Sequence, residues 1–162
     1  MKYDEVLFIC AEAIKRGWID GGDALAEEYY NNAVRASIRF WSDMNKAGNP
    51  VSESTVERFL ANISYDGTLE SILNQKYVAL FWTGFEAWHE YRRTGYPALV
   101  IGEGTQNDHI LPTRMAYPTI AVKTNPDNYA AAVARLRSVF HGADDMKTPV
   151  WWSAEAVRQG IE

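Results

Sequence analysis

The sequence predicts an all-α fold with a large irregular part. Apolar residues recur at three- and four-residue spacings over 3–94 and again over 125–140, which is the period of amphipathic helices. Glycine, proline, asparagine and aspartate stand where these periods stop. No segment shows a strong alternating strand pattern. These three observations together favour helices that pack on one another.

The composition limits the classes of protein. The chain has 162 residues, 47% of them hydrophobic, a net charge of −5 and a single cysteine. This length fits one folded domain or a large piece of a longer one. One cysteine excludes an internal disulfide framework and a cysteine-rich zinc site. The acidic balance argues against nucleic acid as a partner, and no apolar run is long enough to span a bilayer.

Residues 3–41 are predicted to form a helical hairpin. The first helix covers 3–16 and ends before Gly17, which is a favourable C-terminal residue. The second covers 24–41, with Asp23 as its predicted N-cap. A seam of small residues lets the two helices pack as a pair of about the length of a tetratricopeptide unit. The predicted core positions are Val6, Leu7, Cys10, Ala11 and Ile14 in the first helix, and Ala26, Tyr29, Ala33, Ser37 and Phe40 in the second.

Residues 54–94 are predicted to form further helices. Ser54 and Glu57 match the capping-box pattern of a short helix. A longer apolar stripe begins near Thr68, and Gly84 is predicted to kink or divide it. The tryptophans that fall on helical stripes, and are predicted to pack in the core, are Trp41, Trp82 and Trp88.

The rest of the chain is less regular. Residues 95–124 show no helical period and contain several prolines and glycines, so an ordered loop region is predicted. Residues 125–140 are predicted to form a helix, with Asn125 as the cap and Pro126 at the first helical position. Residues 141–162 form a tail.

Four sequence blocks suggest a family. They are YDEVLF at 3–8 with AEA at 11–13 and GWI at 17–19; Tyr30 with AS at 36–37; QKYVALF at 75–81 with EAW at 86–88 and RRTGYP at 92–97; and PTR at 112–114 with YP at 117–118, NP at 125–126 and WW at 151–152. In these blocks the chain resembles the C-terminal part of the SusD/RagB nutrient-binding outer-membrane lipoproteins of Bacteroidetes, in the SusD-like branch. The third block is the most specific.

The resemblance implies a helical superhelix with a tetratricopeptide-like hairpin. It implies a surface-exposed binding protein that is not an enzyme and needs no cofactor. Such a protein captures an oligosaccharide or polysaccharide and passes it to a TonB-dependent, SusC-like transporter. Because family members are several times longer, residues 1–162 are expected to be one unit, a C-terminal fragment. The signal and the N-terminal lipid anchor, the only expected contact with the outer membrane, would lie outside it, since Cys10 falls within a helix.

The resemblance carries over no ligand residue position by position, so the candidates come from chemistry. Sugar rings stack on flat aromatic faces. Trp151 and Trp152 are adjacent and lie outside any predicted helix, which makes them the candidate ligand-binding residues.

Neither a catalytic constellation nor a metal site is predicted. Arg92 and Arg93 are expected to complement a helix C-terminus, with one stem packed against Trp88 or Tyr96. The remaining charged pairs are predicted to be structural or solvated: Glu86 with Glu90, Asp108 with His109, and Asp144 with Asp145.

Two functions stay open at this point. The first is a fragment of a glycan-capture lipoprotein, with the loop region 95–124 contributing to surface contact. The alternative is a stand-alone helical-repeat adaptor that binds protein, suggested by the hairpin at 3–41.

Overall fold

A computed structural model describes residues 1–45 and 48–153, and it confirms the all-α prediction. The described part contains seven helices and no strand. None of the described helices combines the length and the apolar character needed to cross a membrane. The helices are α1 (Tyr3–Lys15), α2 (Gly22–Met44), α3 (Glu53–Asn62), α4 (Leu69–Ala79), α5 (Glu86–Thr94), α6 (Thr119–Thr124) and α7 (Pro126–Phe140).

The chain forms two compact units. Unit 1 covers Met1–Ala87 and unit 2 covers Trp88–Glu162. Helices α1 to α4 belong to unit 1, α6 and α7 belong to unit 2, and α5 begins at the end of unit 1. The assignment of 1–162 to a single larger domain stays a prediction.

The core of unit 1 lies where α1, α2 and α4 meet. The rings of Phe8 and Tyr30 are edge to face, with centroids 6.2 Å apart, and both side chains are buried. The Tyr30 hydroxyl donates a hydrogen bond to the carbonyl oxygen of Ile63 at 2.6 Å. Burial raises the pKa of Tyr30 to about 12. The core cluster comprises Leu7, Phe8, Ala11, Tyr30, Ala33, Val34, Val56, Leu60, Ile72 and Ala79.

The hairpin of α1 and α2 is present, but its buried face differs from the predicted one. Tyr30 is buried where Tyr29 was expected, Phe8 is buried, and Val6 and Phe40 are exposed. Apolar and small residues occupy two neighbouring faces of each helix, so spacing alone fits both. Contact with the partner helix selects the face on which Phe8 meets Tyr30.

Two predicted helix caps are wrong. Helix α2 has Gly21 as its N-cap, and Asp23 instead accepts a hydrogen bond from the Lys15 ammonium at 2.7 Å. Helix α3 is capped by Ser52, whose hydroxyl accepts from the Thr55 amide at 3.3 Å, so Ser54 is not its cap. Serine and aspartate suit several neighbouring cap positions, and local side-chain partners decide among them.

The irregular region is shorter than predicted. Within 95–124, residues Thr119–Thr124 form α6, so that part of the prediction is wrong. Pro118 has an extended backbone and is the N-cap of this short helix. The predicted helix over 125–140 is confirmed as α7, with Asn125 as N-cap and Pro126 in its first turn.

Candidate functional site

The two tryptophans predicted as ligand-binding residues lie at the tip of a turn in unit 2. The amide of Ser153 donates to the carbonyl oxygen of Val150 at 2.9 Å, so Trp151 and Trp152 occupy the two central positions. Ser153 is buried, whereas Trp151 is 72% exposed and Trp152 36% exposed. Trp151 is therefore the residue that offers a largely free aromatic face.

Trp152 stacks on an arginine that also stacks on a second indole. The Arg92 guanidinium carbon lies 3.7 Å from the ring centroid of Trp88 and 4.5 Å from that of Trp152. Burial lowers the pKa of Arg92. Arg92 is thus the arginine that meets Trp88, and the group that lies over the ring is the planar guanidinium, which suits two aromatic partners, where the sequence predicted the stem.

Backbone carbonyl groups hold this stack in place. The Trp88 indole N–H donates to the Pro112 carbonyl oxygen at 2.7 Å, and Arg92 Nη1 donates to that of Thr113 at 2.8 Å. Thr113 in turn donates from its amide to the carbonyl oxygen of Met146 at 2.8 Å, and from its hydroxyl to that of Thr148 at 2.8 Å. Helix α5, residues 112–113 and the chain that leads to the tryptophan turn are therefore connected by hydrogen bonds.

The partly buried carboxylate of Asp144 joins other parts of unit 2. Asp144 Oδ1 accepts from Arg114 Nη1 at 3.0 Å and from the Tyr117 amide at 2.9 Å, and its Oδ2 accepts from the Tyr129 hydroxyl at 3.1 Å. Burial acts to raise the pKa of Asp144, but these hydrogen bonds outweigh it and hold the pKa below its usual range. This network fixes α7 relative to residues 114–117 and 144–145.

The lowered pKa of Asp144 predicts acid sensitivity of unit 2. A carboxyl whose pKa is lower in the folded state stabilises the fold above its unfolded pKa of about 4, and this stabilisation is lost as the pH falls through the folded value. We expect the melting temperature to fall below about pH 4, and Asp144→Asn to flatten that acid dependence and lower stability at neutral pH. Circular dichroism melts from neutral to acid pH measure both. The exposed Asp127→Asn variant in α7 is the control, and an unchanged acid slope in Asp144→Asn contradicts the prediction.

The other charged pairs have structural partners. Asp108 pairs with Lys147, and Glu90, which is buried, pairs with Arg93 at 2.7 Å. In the residues that the structure describes, no group of three or more histidine, cysteine, aspartate or glutamate side chains could hold a metal ion.

Unit 1 contains a groove that the sequence analysis missed. Its volume is about 410 Å³, and among the described residues that line it no side chain is charged. The lining residues are Phe8, Val34, Ser37, Ile38, Trp41, Ser42, Asn45, Asn49, Val51, Phe59, Gln75, Val78, Ala79 and Phe81. A concave, mostly apolar surface with a few amide and hydroxyl groups is typical of sites for uncharged ligands.

An aromatic ridge continues from this groove to the surface. The ring centroids of Trp41 and Phe81 are 5.8 Å apart, and those of Phe81 and Trp82 are 6.0 Å apart. Trp82 is 82% exposed, so its predicted place in the core is wrong. Helix α4 ends at Ala79, and Trp82 has a left-handed backbone with φ of 58°. Gly84 indicated a break in the helix at this place. The aromatic residues before it keep a helical spacing, however, so the sequence did not show that the helix ends before Trp82.

These features define a helical scaffold that presents exposed aromatic side chains, as binding proteins for uncharged ligands do. The sequence profile of a SusD-like family, described as "Starch-binding associating with outer membrane", matches residues 1–118. The chain belongs to this SusD-like family, as its four sequence blocks predicted. Members of the family are binding proteins associated with the outer membrane.

Solved structures are similar over nearly the whole chain. A chitin-binding protein is 29% identical with a TM-score of 0.77, and the alignment covers 94% of this chain and 33% of that one. A SusD-like protein from Bacteroidetes is 25% identical with a TM-score of 0.74, covering 95% and 30%. A SusD homolog from Parabacteroides distasonis is 26% identical with a TM-score of 0.67, covering 93% and 32%. The chain thus spans about a third of each of these proteins. Among curated proteins, none matches the chain.

Proposed function

We propose that this chain is part of a cell-surface protein that captures neutral glycans at the outer membrane without cleaving them. The family match over residues 1–118 is the observation that carries the proposal. The similarity to a chitin-binding protein over 94% of the chain supports the same class of ligand. Of the two functions left open by the sequence, the family membership favours glycan capture over a protein-binding adaptor.

The surface chemistry supports a neutral sugar as the ligand. The axial C–H groups of a pyranose pack against indole faces, and hydroxyl groups pair with neutral polar side chains. Trp151 presents such a face on a turn that is closed by the hydrogen bond from the Ser153 amide to the Val150 carbonyl oxygen. We therefore assign glycan stacking to Trp151, with Trp152 as its support.

We further propose that the chain corresponds to the C-terminal part of a longer, lipid-anchored SusD-like protein that passes glycans to a TonB-dependent, SusC-like transporter. The threefold greater length of the similar structures supports this proposal. The segment 95–124 is the candidate for transporter contact, because most of it is irregular and surface loops on a rigid scaffold often carry function.

The test is to isolate the native protein from outer membranes of its source cells and to titrate it with maltoheptaose and chitohexaose by calorimetry. We expect a TonB-dependent transporter to co-purify and at least one probe to bind saturably. Replacement of the largely exposed residues 98–110, which precede the hydrogen-bonded positions 112–114, by a glycine–serine linker is expected to abolish the co-purification. A protein that binds neither probe, nor any member of a panel of neutral polysaccharides, contradicts glycan capture.

A further inference from the structure

We propose that Arg92 is a positioning residue for the glycan site: its stack with Trp152 fixes the turn that carries Trp151. The inference rests on the proposed function and adds to it a residue that has no direct role in stacking the sugar. It follows from three observations in unit 2: the contacts of the Arg92 guanidinium, its stack with Trp152, and the exposed position of Trp151 in the same turn.

Arg92 is held by aromatic faces and a backbone carbonyl group. Its guanidinium lies close to the rings of both Trp88 and Trp152, and its Nη1 donates to Thr113. Its Nε is buried and has no hydrogen-bond partner among the residues that the structure describes. A partly desolvated cation in this position interacts favourably with the electron-rich faces of the two indoles. Arg92 therefore links α5 to Trp152.

Trp88 and Arg92 are four residues apart on α5 and lie on the same side of it. Each donates a hydrogen bond to one of two consecutive carbonyl groups, those of Pro112 and Thr113. This double attachment sets the direction of the Arg92 side chain. The guanidinium is consequently a fixed surface against which the Trp152 ring is placed.

Trp151 has a different environment. No ring contact or cation–π contact involving Trp151 occurs among the described residues, and its side chain is 72% exposed. The backbone of the turn from Val150 to Ser153 therefore sets the position and the Cα–Cβ direction from which its ring projects. Trp152 is the other central residue of that turn, so fixing its ring restricts the turn and preorganises Trp151 for stacking.

The test compares Arg92→Met, Arg92→Lys and Arg135→Met in the intact protein. Methionine retains an apolar stem without the planar cation, lysine retains the charge without the planar group, and Arg135 is an exposed arginine on α7. The readouts are calorimetric affinity for the glycan probe that the wild type binds and ¹⁹F spectra with 5-fluorotryptophan. The Trp151 and Trp152 signals are assigned by substitution of each with phenylalanine.

We expect Arg92→Met to weaken probe binding roughly five-fold by loss of preorganisation, and to shift or broaden the Trp151 and Trp152 signals. Arg92→Lys is expected to lose less, and Arg135→Met to match the wild type. Unchanged affinity and unchanged fluorine signals in Arg92→Met overturn the inference. If Arg92→Met does not fold, Arg92→Lys decides, and wild-type affinity and signals in it overturn the inference.

The outcomes also separate this inference from the proposed function. If Trp151→Ala weakens binding and Arg92→Met does not, the positioning role is wrong and the glycan site stands. If Trp151→Ala leaves binding unchanged, the assignment of the glycan site itself is wrong, and the role of Arg92 falls with it.

Discussion

Replacement of Trp151 by alanine is expected to weaken binding of the glycan probe by roughly 10- to 100-fold. Burial of a tryptophan face against a sugar ring contributes about 1.5–3 kcal/mol, and every 1.4 kcal/mol corresponds to about a tenfold change in affinity. The side chain is 72% exposed and lies at the tip of a turn, so its removal is expected to leave the fold of unit 2 intact. Calorimetric titration of wild type and variant with the same probe measures the change.

Trp18 provides a matched control for this experiment. It is also 72% exposed, but it lies in the loop after α1 in unit 1, where the Arg16 guanidinium is 5.4 Å from its ring centroid. Trp18→Ala removes a side chain of the same type and the same exposed fraction, but from a different unit. It is therefore expected to leave the affinity for the probe within a factor of about two of the wild type. Equal losses in both variants indicate nonspecific aromatic adhesion and contradict a defined site at Trp151.

Much of the fold could be predicted because helix periods and stop signals are local. The spacing of apolar residues located α1 to α5 and α7, and Pro126 marked the start of α7. The buried face of each helix was harder to predict, since it depends on the partner helix. Tyr30 is buried instead of Tyr29 because its ring packs on Phe8 and its hydroxyl reaches the Ile63 carbonyl oxygen. These contacts join distant parts of the sequence.

Of the candidate site, the two tryptophans could be predicted from the sequence, but their contacts could not. Two adjacent tryptophans outside a helix suggested that one of them is exposed, and the structure places them in a turn with Trp151 the more exposed. The stack of Trp152 on Arg92 joins residues far apart in the sequence, and no local pattern records it. For Trp82 the local pattern was misleading. Its helical spacing predicted a buried side chain, but the helix ends at Ala79 and Trp82 is exposed.

The same dependence on distant partners governs the buried charges of unit 1. Glu12 on α1 and Lys76 on α4 have side chains that are only 5% and 6% exposed, and Lys76 Nζ lies 3.8 Å from Glu12 Oε2. Glu12 also accepts a hydrogen bond from Arg16 Nε at 2.8 Å. Helix α4 therefore places the Lys76 ammonium near the Glu12 carboxylate on α1. Arg16, which is close to Glu12 in the sequence, supplies only part of the positive charge that compensates this carboxylate.

Lys76→Met is expected to destabilise the protein by about 3 kcal/mol, because it leaves the buried carboxylate of Glu12 with one cation fewer. Urea denaturation followed by circular dichroism measures the change. Arg39→Met removes one partner of an exposed pair, in which Arg39 Nη2 lies 3.4 Å from a carboxylate oxygen of Glu53, and is expected to cost less than about 1 kcal/mol.

The double variant Glu12→Leu with Lys76→Met decides whether the loss comes from an uncompensated charge or from packing. If the charge is the cause, replacing the carboxylate with an apolar side chain restores most of the stability, since apolar residues of similar volume often substitute well for a buried ion pair. If the stability lost in the double variant equals the sum of the losses in Lys76→Met and in Glu12→Leu alone, packing around the lysine stem is the dominant contribution of Lys76. In that case the charge explanation is wrong.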